Sequence, residues 1–485
     1  MVPALAGVFY DDGVYLALAR SLAEGGGYRL QYLPGAPAGV HYPVGYPAFL
    51  AALWMAWPSF PANLALLKAA NAVLTGLFAA VTVRHLAPRL PVPTWGTAAV
   101  VAAACVAVPL MAVATVLFAE PLFLVLAALA VWAADGAAVA EGRRGWTLAA
   151  AAGALAGLCM LTRSIGVAVL GGVAVALVAR RRGYGVVALA AGALLVAPGL
   201  AWTAAHAGET DPAVVANYGT YGQFLRQAGS GWWTPASLLE VMQPIAALAV
   251  PAAPAGLWHA AAAAALALLV WGAMQLGRCS VALGATLALY AAVVTLWPYG
   301  PARFVWAIVP WLAVAFLAGC ADLLRRARTL PPRAATATTV AVLAVIVLVA
   351  TTYAAGQGRG LAAGAPTTVQ RGISATMQQV VDWVRARTPP GAVIATEDEA
   401  LVWLYTGRRA VPSFLWRVRG RTGESLGPDT LRAYLDRTGA THLVLTGLGA
   451  DAAPDISALM ERAPGYLRLV QVWPGQAFAF AIERP

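Results

Sequence analysis

Two adjacent carboxylates near the start of the chain are the residues best suited to chemistry. Asp11 and Asp12 open a stretch in which apolar side chains recur at helical spacing, so they lie at the start of a predicted helix. Aspartate is common at a helix start, because it accepts hydrogen bonds from free amide groups and favours the positive end of the helix dipole. That structural role suffices for one aspartate in a soluble protein. Beside a membrane, a pair of aspartates instead favours a carboxylate with a role in chemistry.

An aromatic loop follows this predicted helix. Three glycines at 25–27 end the helix, and residues 34–47 are punctuated by proline and glycine. The loop also carries tyrosines, whose amphipathic rings prefer the membrane–water interface. They are Tyr28, Tyr32, Tyr42 and Tyr46. The sequence therefore predicts an acidic, aromatic-lined loop lying on a bilayer surface.

Four ionisable residues lie in or at the edge of long apolar segments, where a charge is costly and indicates function. They are Lys68, Glu120, Arg163 and Arg303. Long basic side chains also extend to the interface without any function, and this alternative stays open for Lys68 and both arginines. Glu120 has no such route, although it can pair with an arginine. Together with Asp11 and Asp12, the four suit a pocket that holds a phosphate beside a group needing deprotonation.

The composition sets the class of protein that must position these residues. The chain has 485 residues, of which 60% are hydrophobic and 11% charged, against roughly 25% charged in soluble domains. We therefore predict a polytopic membrane protein. The net charge of +11 comes mostly from arginines in short loops, which is typical of orientation signals rather than of nucleic-acid binding. Neither the four cysteines nor the five histidines have the spacing of a metal site.

A membrane span needs about 20 mostly apolar residues. Ten segments fit this description, the weakest being the pair on either side of Arg163. The ten are 63–83, 95–113, 115–134, 146–161, 164–179, 185–205, 258–276, 280–297, 304–323 and 335–354. With the Asp11 loop placed outside the cytoplasm, twelve arginines fall in inner loops and five in outer ones up to residue 333. This is the direction that the positive-inside rule requires.

Three regions follow from this organisation. Residues 1–62 form an outer acidic loop with juxtamembrane helices, and residues 63–355 form a transmembrane bundle with a long outer loop, 206–257. Residues 238–250 within that loop are predicted to be a helix lying in the interface. Residues 356–485 comprise a linker and an extracytoplasmic domain, whose alternating helices and strands predict a small α/β fold. Glu397, Asp398 and Glu399 in this domain are interpreted as a charged helix start rather than a site.

Several of these motifs resemble those of GT-C glycosyltransferases, in particular bacterial relatives of protein O-mannosyltransferases and lipid A aminoarabinose transferases. The acidic pair, followed four residues after Asp11 by Tyr15 and then by Ala-Arg-Ser-Leu-Ala-Glu-Gly, resembles their first outer loop. The segment 41–47, His-Tyr-Pro-Val-Gly-Tyr-Pro, resembles their Tyr-Pro-Pro-Gly-Tyr-Pro, with Val44 in place of one proline. Ala119-Glu-Pro-Leu-Phe123, Leu161-Thr-Arg163 and Arg303 also match. The family has a span before the acidic pair, whereas ten residues, too few to cross a bilayer, precede it here. A truncated chain or a miscalled start is therefore expected.

The resemblance implies transfer of a sugar, with inversion, from a polyprenyl-phosphate donor to a hydroxyl of an acceptor glycan, lipid or protein. It implies that Asp11 is the general base and that Asp12 and Glu120 orient the acceptor. Family members differ in metal use, so a divalent cation held by Asp11, Asp12 and Glu120 remains open, and no cofactor is required with certainty. The implied donor phosphate ligands are Lys68, Arg163 and Arg303, and the implied substrate-lining residues are Tyr15, Tyr42 and Tyr46. The implied location is the outer face of the bacterial inner membrane.

Two other classes of function compete with this interpretation. A transporter or flippase of lipid-linked saccharides also needs cations and aromatic rings near the membrane. Transporters commonly contain internal repeats and midplane sites, whereas this sequence shows no repeat and its charges gather on one face. The other class is a non-catalytic partner whose C-terminal domain binds another membrane protein. Nothing in the sequence supports binding of nucleic acid.

Overall fold

The computed structural model describes most of the chain. The described residues are 5–229, 234, 236–251, 255–298, 300–365, 367–420, 422–446, 451–473 and 477–484. Parts of the predicted outer loop 206–257, namely residues 230–233, 235 and 252–254, lie outside them. The helices are α1 Asp11–Ala23, α2 Gly45–Ala56, α3 Leu64–Leu86, α4 Thr94–Cys105, α5 Val108–Thr115, α6 Glu120–Val139, α7 Gly142–Thr162, α8 Val167–Arg180, α9 Arg182–His206, α10 Val215–Tyr218, α11 Tyr221–Ala228, α12 Ala236–Ala249, α13 Ala255–Cys279, α14 Val281–Thr295, α15 Ala302–Ala307, α16 Val309–Ala327, α17 Pro332–Ala362, α18 Thr367–Arg387, α19 Glu399–Thr406, α20 Pro428–Thr438 and α21 Ala453–Arg462.

The predicted class, a polytopic helical membrane protein with a small C-terminal sheet domain, is confirmed. Among the described residues, six helices are long and apolar enough to cross a membrane, or seven if the bent pair α4–α5 is one span. Each of the ten predicted spans falls on a helix or on that pair. Two of them, α8 and α14, are shorter helices, and α16 has charged residues at one end. The third span starts at Glu120 rather than at residue 115, because Leu117 has a positive φ of 67° that interrupts the helix.

The bend between α4 and α5, 62°, is supported by polar residues of α17. The Tyr353 hydroxyl donates to the Ala103 carbonyl oxygen at 3.0 Å, and the Gln357 side-chain oxygen accepts from the Val108 amide at 2.7 Å. Backbone groups freed at a break within a membrane must find such partners, because no water is available to them. The break is therefore a stable feature of the bundle. Helix α17 itself continues to Ala362, so the first half of the predicted linker is helical.

Close helix crossings in the bundle occur at small residues. Gly153 of α7 lies against the backbone of Ala188 in α9, and Gly272 of α13 lies against Ala315 in α16. A methyl group at either glycine would overlap the neighbouring helix backbone. Helices in lipid associate through van der Waals packing, which small residues make possible by close approach. These crossings fix how α7 packs against α9 and how α16 packs against α13, and Arg163 directly follows α7.

The C-terminal domain contains a mixed five-stranded sheet in the order β2-β1-β5-β7-β6 and a separate hairpin, β3–β4. Strand β1 pairs in parallel with β2 and β5, whereas β7 is antiparallel to both β5 and β6. The strands are β1 Val393–Thr396, β2 Arg409–Pro412, β3 Trp416–Arg419, β4 Thr422–Ser425, β5 His442–Leu445, β6 Leu467–Trp473 and β7 Ala477–Ile482. Helices α18 and α20 and strands β1 and β5 thus belong to the alternation of helices and strands that the sequence predicts for this domain.

The C-terminal domain and the outer loops of the bundle share one hydrophobic core. Val14 and Leu18 of α1, with Tyr32 of the following loop, pack in the same buried cluster as Val411 and Leu443 of the sheet. The backbone joins the two parts as well, since the Ala410 amide donates to the Tyr32 carbonyl oxygen at 2.9 Å. The domain is therefore built onto the helix that carries the acidic pair.

Candidate functional site

A tight turn places the acidic pair at the start of α1. The Asp12 carboxylate is fully buried and accepts hydrogen bonds from the amides of Gly7, at 2.7 Å, and Phe9, at 3.0 Å. Tyr10, which lies between Phe9 and the acidic pair, has φ 63° and ψ −70°. This conformation costs a non-glycine residue about 1–3 kcal/mol. The two hydrogen bonds hold this turn and thereby direct Asp11. Burial raises the pKa of Asp12 to about 6, against the opposing effect of the two amides.

Asp11 lies in a network of charged side chains from four separate parts of the chain. The Tyr42 hydroxyl donates to one Asp11 oxygen at 2.6 Å, and the Arg303 guanidinium pairs with the other. Arg303 also donates through Nε to Glu120 at 2.6 Å, and Arg163 pairs with the same Glu120 oxygen. Tyr42 and Arg303 therefore contact Asp11 directly, and Arg303 connects Asp11 to Glu120 and Arg163.

Glu120 is fully buried and pairs with both arginines of this network. It starts α6, where the helix dipole favours a negative charge, and Pro121 occupies the first turn without loss of a hydrogen bond. Burying a carboxylate is costly unless cations pair with it, and here two guanidinium groups do so. Each guanidinium also lies over an aromatic ring, Arg303 over Phe118 at 3.6 Å and Arg163 over Phe304 at 5.2 Å. Glu120 and these rings therefore fix the positions of the two arginines.

The network opens into a cavity of about 500 Å³. Of the predicted site residues, Asp11, Arg163, Arg303, Tyr15 and Tyr42 line it. The further lining residues come from the predicted outer loops, from the C-terminal end of α14, from α15 and from the hairpin of the C-terminal domain. They are Tyr10, His41, Pro43, Ser164, Ile165, Ala216, Asn217, Tyr221, Phe224, Val293, Val294, Trp297, Gly300, Phe304 and Trp416. A volume of this size is typical of small-molecule sites, which span roughly 300–1,000 Å³.

Four predicted site residues lie outside the cavity lining. Asp12 faces the turn described above, and Glu120 lies beneath the arginines. Tyr46 is fully buried, and its hydroxyl accepts a hydrogen bond from Asn71 at 3.0 Å. Lys68 is half-buried on α3, has no ion pair among the described residues and interacts electrostatically with Asp12. Asp12, Glu120 and Tyr46 thus support the residues that reach the cavity.

The carboxylates do not fit a divalent cation as they stand. Asp11 and Glu120 are separated by the Arg303 guanidinium, which occupies oxygens of both, and both Asp12 oxygens accept from backbone amides. Within the described residues, no group of three or more His, Cys, Asp or Glu side chains is arranged to hold a metal ion. The network does contain two guanidinium groups, Arg163 and Arg303, and guanidinium groups bind anions through paired N–H donors.

Two solved structures share this architecture. The crystal structure of ArnT from Cupriavidus metallidurans in the apo state has a TM-score of 0.55 and 14% sequence identity, over 97% of this chain and 92% of ArnT. The structure of the same protein bound to undecaprenyl phosphate has a TM-score of 0.55 and 13% identity, over 97% and 93% of the two chains. The fold is GT-C-like. Sequence identity this low carries the fold alone. No family model and no curated sequence matches the chain.

Sequence reasoning missed most of the aromatic lining. Asn217 and Tyr221 occur in a polar, aromatic stretch of the outer loop, and His41 precedes the tyrosine that binds Asp11, so composition marked their neighbourhoods. Trp416 had no such signal, because it lies about 400 residues from Asp11 in another domain. Its strand alternates Trp-Arg-Val-Arg, with the two arginines exposed and Val418 buried. This alternation turns Trp416 inward, as the two-residue period of a strand requires.

Proposed function

We propose that this chain is an inverting glycosyltransferase, which moves a sugar from a polyprenyl-phosphate donor to an acceptor hydroxyl at the outer face of the bacterial inner membrane. One observation carries the proposal: a carboxylate, Asp11, and two guanidinium groups, Arg163 and Arg303, line the same cavity. The GT-C-like fold supports it, and so does the undecaprenyl phosphate bound to ArnT. The excess of arginine in the predicted inner loops supports the orientation.

The reaction needs one displacement at the anomeric carbon of the donor. The acceptor oxygen forms a bond to this carbon as the bond to the phosphate oxygen breaks, and the electron pair leaves with the polyprenyl phosphate. Arg163 and Arg303 stabilise the negative charge that develops on the phosphate, an effect strongest where donors are already in position. Asp11 accepts the proton of the acceptor hydroxyl, as a general base must. No covalent sugar–enzyme intermediate forms, so the configuration inverts, as in inverting glycosidases.

The remaining residues of the network position these three. Glu120 holds both arginines, and Tyr42 orients the Asp11 carboxylate. Arg303 pairs with Asp11 and Glu120 at once, so a donor phosphate competes with Asp11 for this guanidinium. Binding of the donor thereby frees an Asp11 oxygen for the acceptor proton. Lys68, from its place on α3, adds positive charge on the bundle side of the acidic turn.

Asp11→Asn provides the central test. We expect the variant to fold and to lose transfer by about 10²–10⁴-fold, which is the usual contribution of a general base. The purified full-length protein is incubated with radiolabelled polyprenyl-phosphate sugars and membrane extract, and labelled products are quantified. Glu24→Gln, an exposed carboxylate just after the same helix, paired only with Arg20, is the matched control. Turnover of Asp11→Asn at the wild-type rate would remove Asp11 from the role of base.

The same preparation separates transferase from transporter. Reconstituted into vesicles, a transferase labels an acceptor, whereas a flippase moves the lipid-linked sugar between leaflets without forming a new glycosidic bond. Scrambling of the donor with no labelled acceptor would contradict the proposed function.

A further inference from the structure

The cavity has two chemically different walls. One carries its charges, Asp11, Arg163 and Arg303. The other is a run of aromatic rings that leads away from Asp11. It begins at Tyr42, which binds Asp11, and passes to His41 with ring centroids 4.9 Å apart. From His41 it continues through Tyr221 at 4.9 Å, Trp297 at 5.6 Å and Phe224 at 6.0 Å.

The run ends at the C-terminal domain. Phe224 of α11 packs with Val418 and Trp416 of β3 in one apolar cluster, and the Gly420 amide donates to the Ala228 carbonyl oxygen at 3.1 Å. Trp416 lines the cavity, whereas Arg417 and Arg419 on the same strand face solvent and pair with Glu424. Among the described residues of the domain, the cavity lining contains one large ring, Trp416, and no charged side chain.

This aromatic wall is electrically neutral. Among the cavity-lining residues of the described chain, the cations are Arg163 and Arg303, and both pair with Glu120. His41 holds its Nδ1 against the Gly219 carbonyl oxygen at 2.7 Å, so Nδ1 donates and Nε2 is left as an acceptor. Burial lowers the pKa of His41, which keeps the ring uncharged at neutral pH. The described part of this wall therefore offers no cation to an anionic acceptor group.

The polar groups of the wall suit hydroxyl groups instead. Asn217 donates to the Tyr10 hydroxyl at 3.0 Å, and its side-chain oxygen has no partner among the described residues. Neutral amides, imidazole and phenol hydroxyls both donate and accept, as sugar hydroxyls do. Flat aromatic faces match the apolar C–H face of a sugar ring and bury large area at little entropic cost.

We propose that the aromatic wall binds the acceptor, that the acceptor is a neutral saccharide, and that Trp416 stacks on one of its rings. The proposal rests on the proposed transferase function. The donor phosphate belongs at the arginines, and an in-line displacement brings the acceptor from the opposite side of the anomeric carbon. The acceptor therefore occupies the part of the cavity that the C-terminal domain covers. Trp416 is a specificity-determining residue supplied by that domain.

Binding and transfer are measured separately to test this site. In the binding arm, methyl glycosides of mannose, glucose and galactose are titrated into the full-length protein, and contact is followed by saturation-transfer NMR. We expect millimolar binding of at least one glycoside, weakened about tenfold or more in Trp416→Ala and largely retained in Trp416→Phe. Trp95→Phe, a tryptophan 76% exposed on α4, is the control for a general effect. Thermal unfolding checks that each variant is folded.

In the transfer arm, Trp416→Ala should raise the KM for the acceptor about tenfold and leave the KM for the donor unchanged. A raised donor KM, unchanged values for both substrates, or binding of a serine–threonine peptide or an anionic lipid in preference to any glycoside would overturn the proposal. Glycoside binding that depends on Trp416, with no transfer from any donor, would refute the transferase and leave the saccharide site standing. Transfer to a saccharide with a KM that Trp416→Ala leaves unchanged would support the transferase and refute the saccharide site at Trp416.

Discussion

At the scale of residues, two contacts of the described residues orient the Asp11 carboxylate. One oxygen accepts from Tyr42 and the other pairs with Arg303. Arg303 is shared with Glu120, so it is available to a ligand phosphate, whereas Tyr42 has no second acceptor among the hydrogen bonds of the described residues. Tyr42 is therefore the residue that keeps Asp11 oriented when the donor is bound.

Tyr42→Phe should lower kcat about tenfold and leave the unfolding temperature nearly unchanged, because the ring packing stays while one hydrogen bond to a charged group, worth about 1.5–3 kcal/mol, is lost. Steady-state transfer and thermal unfolding are the measurements. Tyr353→Phe, which removes a hydroxyl bonded to a backbone carbonyl in the bundle, is the matched control. An equal fall in kcat for both variants would argue against a special role for Tyr42.

Sequence patterns predicted this charged centre for a physical reason. Placing a charge in an apolar segment costs free energy, so the sequence marks Glu120, Arg163 and Arg303 as candidate site residues. The number of predicted spans then places all three on the same side of the membrane. The support given by Asp12 and Tyr46 was not visible, because their partners are a local turn and an asparagine one helix away. Residue type alone predicted that Asp12 and Tyr46 belong to the site. It could not tell whether they line the cavity or support the residues that do.

At the scale of elements, the C-terminal domain holds the segment of backbone that precedes α1. The Leu5 amide donates to Ser374 at 2.9 Å, Gln370 donates to the Leu5 carbonyl oxygen at 2.8 Å, and the Ala6 amide donates to the Tyr405 hydroxyl at 3.1 Å. Gly7 and Gly13 let the turn and α1 lie directly against α19, with Leu401 and Ala400 as neighbours. Helices α18 and α19 therefore fix the strained turn that directs Asp11.

Gln370→Ala should lower kcat severalfold without changing the KM for the donor, since the described hydrogen bond of its side chain goes to the Leu5 carbonyl oxygen before the turn. The buried carbonyl of Leu5 would lose its partner, at a cost of about 1–3 kcal/mol, and thermal unfolding should register this loss. Gln378→Ala, on the same helix but bonded only to Asp382 near the surface, is the control. Should both variants retain wild-type turnover, the turn needs no support from α18.

Alternating helices and strands sufficed to predict the C-terminal domain but not its docking. Each strand carries a local two-residue pattern, and each helix carries its own apolar face. The contacts that matter for the site, such as Ala410 with Tyr32 and Trp416 with Phe224, join segments hundreds of residues apart. No local pattern encodes such pairs, so the aromatic wall emerged only from the structure.

At the scale of the whole molecule, a buried run of acids joins the domain to the rest of the protein. Glu397, Asp398 and Glu399 stand at the predicted helix start, but they are largely enclosed rather than solvated. Burial raises the pKa of Glu397 to about 7, and burial together with neighbouring carboxylates raises the pKa of Asp398. Asp12 on α1 and Tyr218 on α10 face the run from the other side.

These shifts make stability fall as the pH rises. The folded protein keeps a proton on Glu397 that the unfolded chain releases near its ordinary pKa, so the stabilisation is complete below about pH 4.5 and is lost as the pH passes about 7. We expect the unfolding temperature of the detergent-solubilised protein to drop between pH 5 and pH 8, and Glu397→Gln to flatten this slope. An identical slope in Glu397→Gln and wild type would show that other groups govern the pH dependence.

The hydrogen bonds between Leu5 and α18 also bear on biogenesis. The segment of backbone that directs the Asp11 carboxylate is synthesised well before its anchoring side chains, Ser374 and Gln370, which lie more than 360 residues later in the chain. During synthesis the helices of the bundle are therefore made before the contacts that hold the turn at Asp11 can form, so this turn is fixed only after α18 has docked.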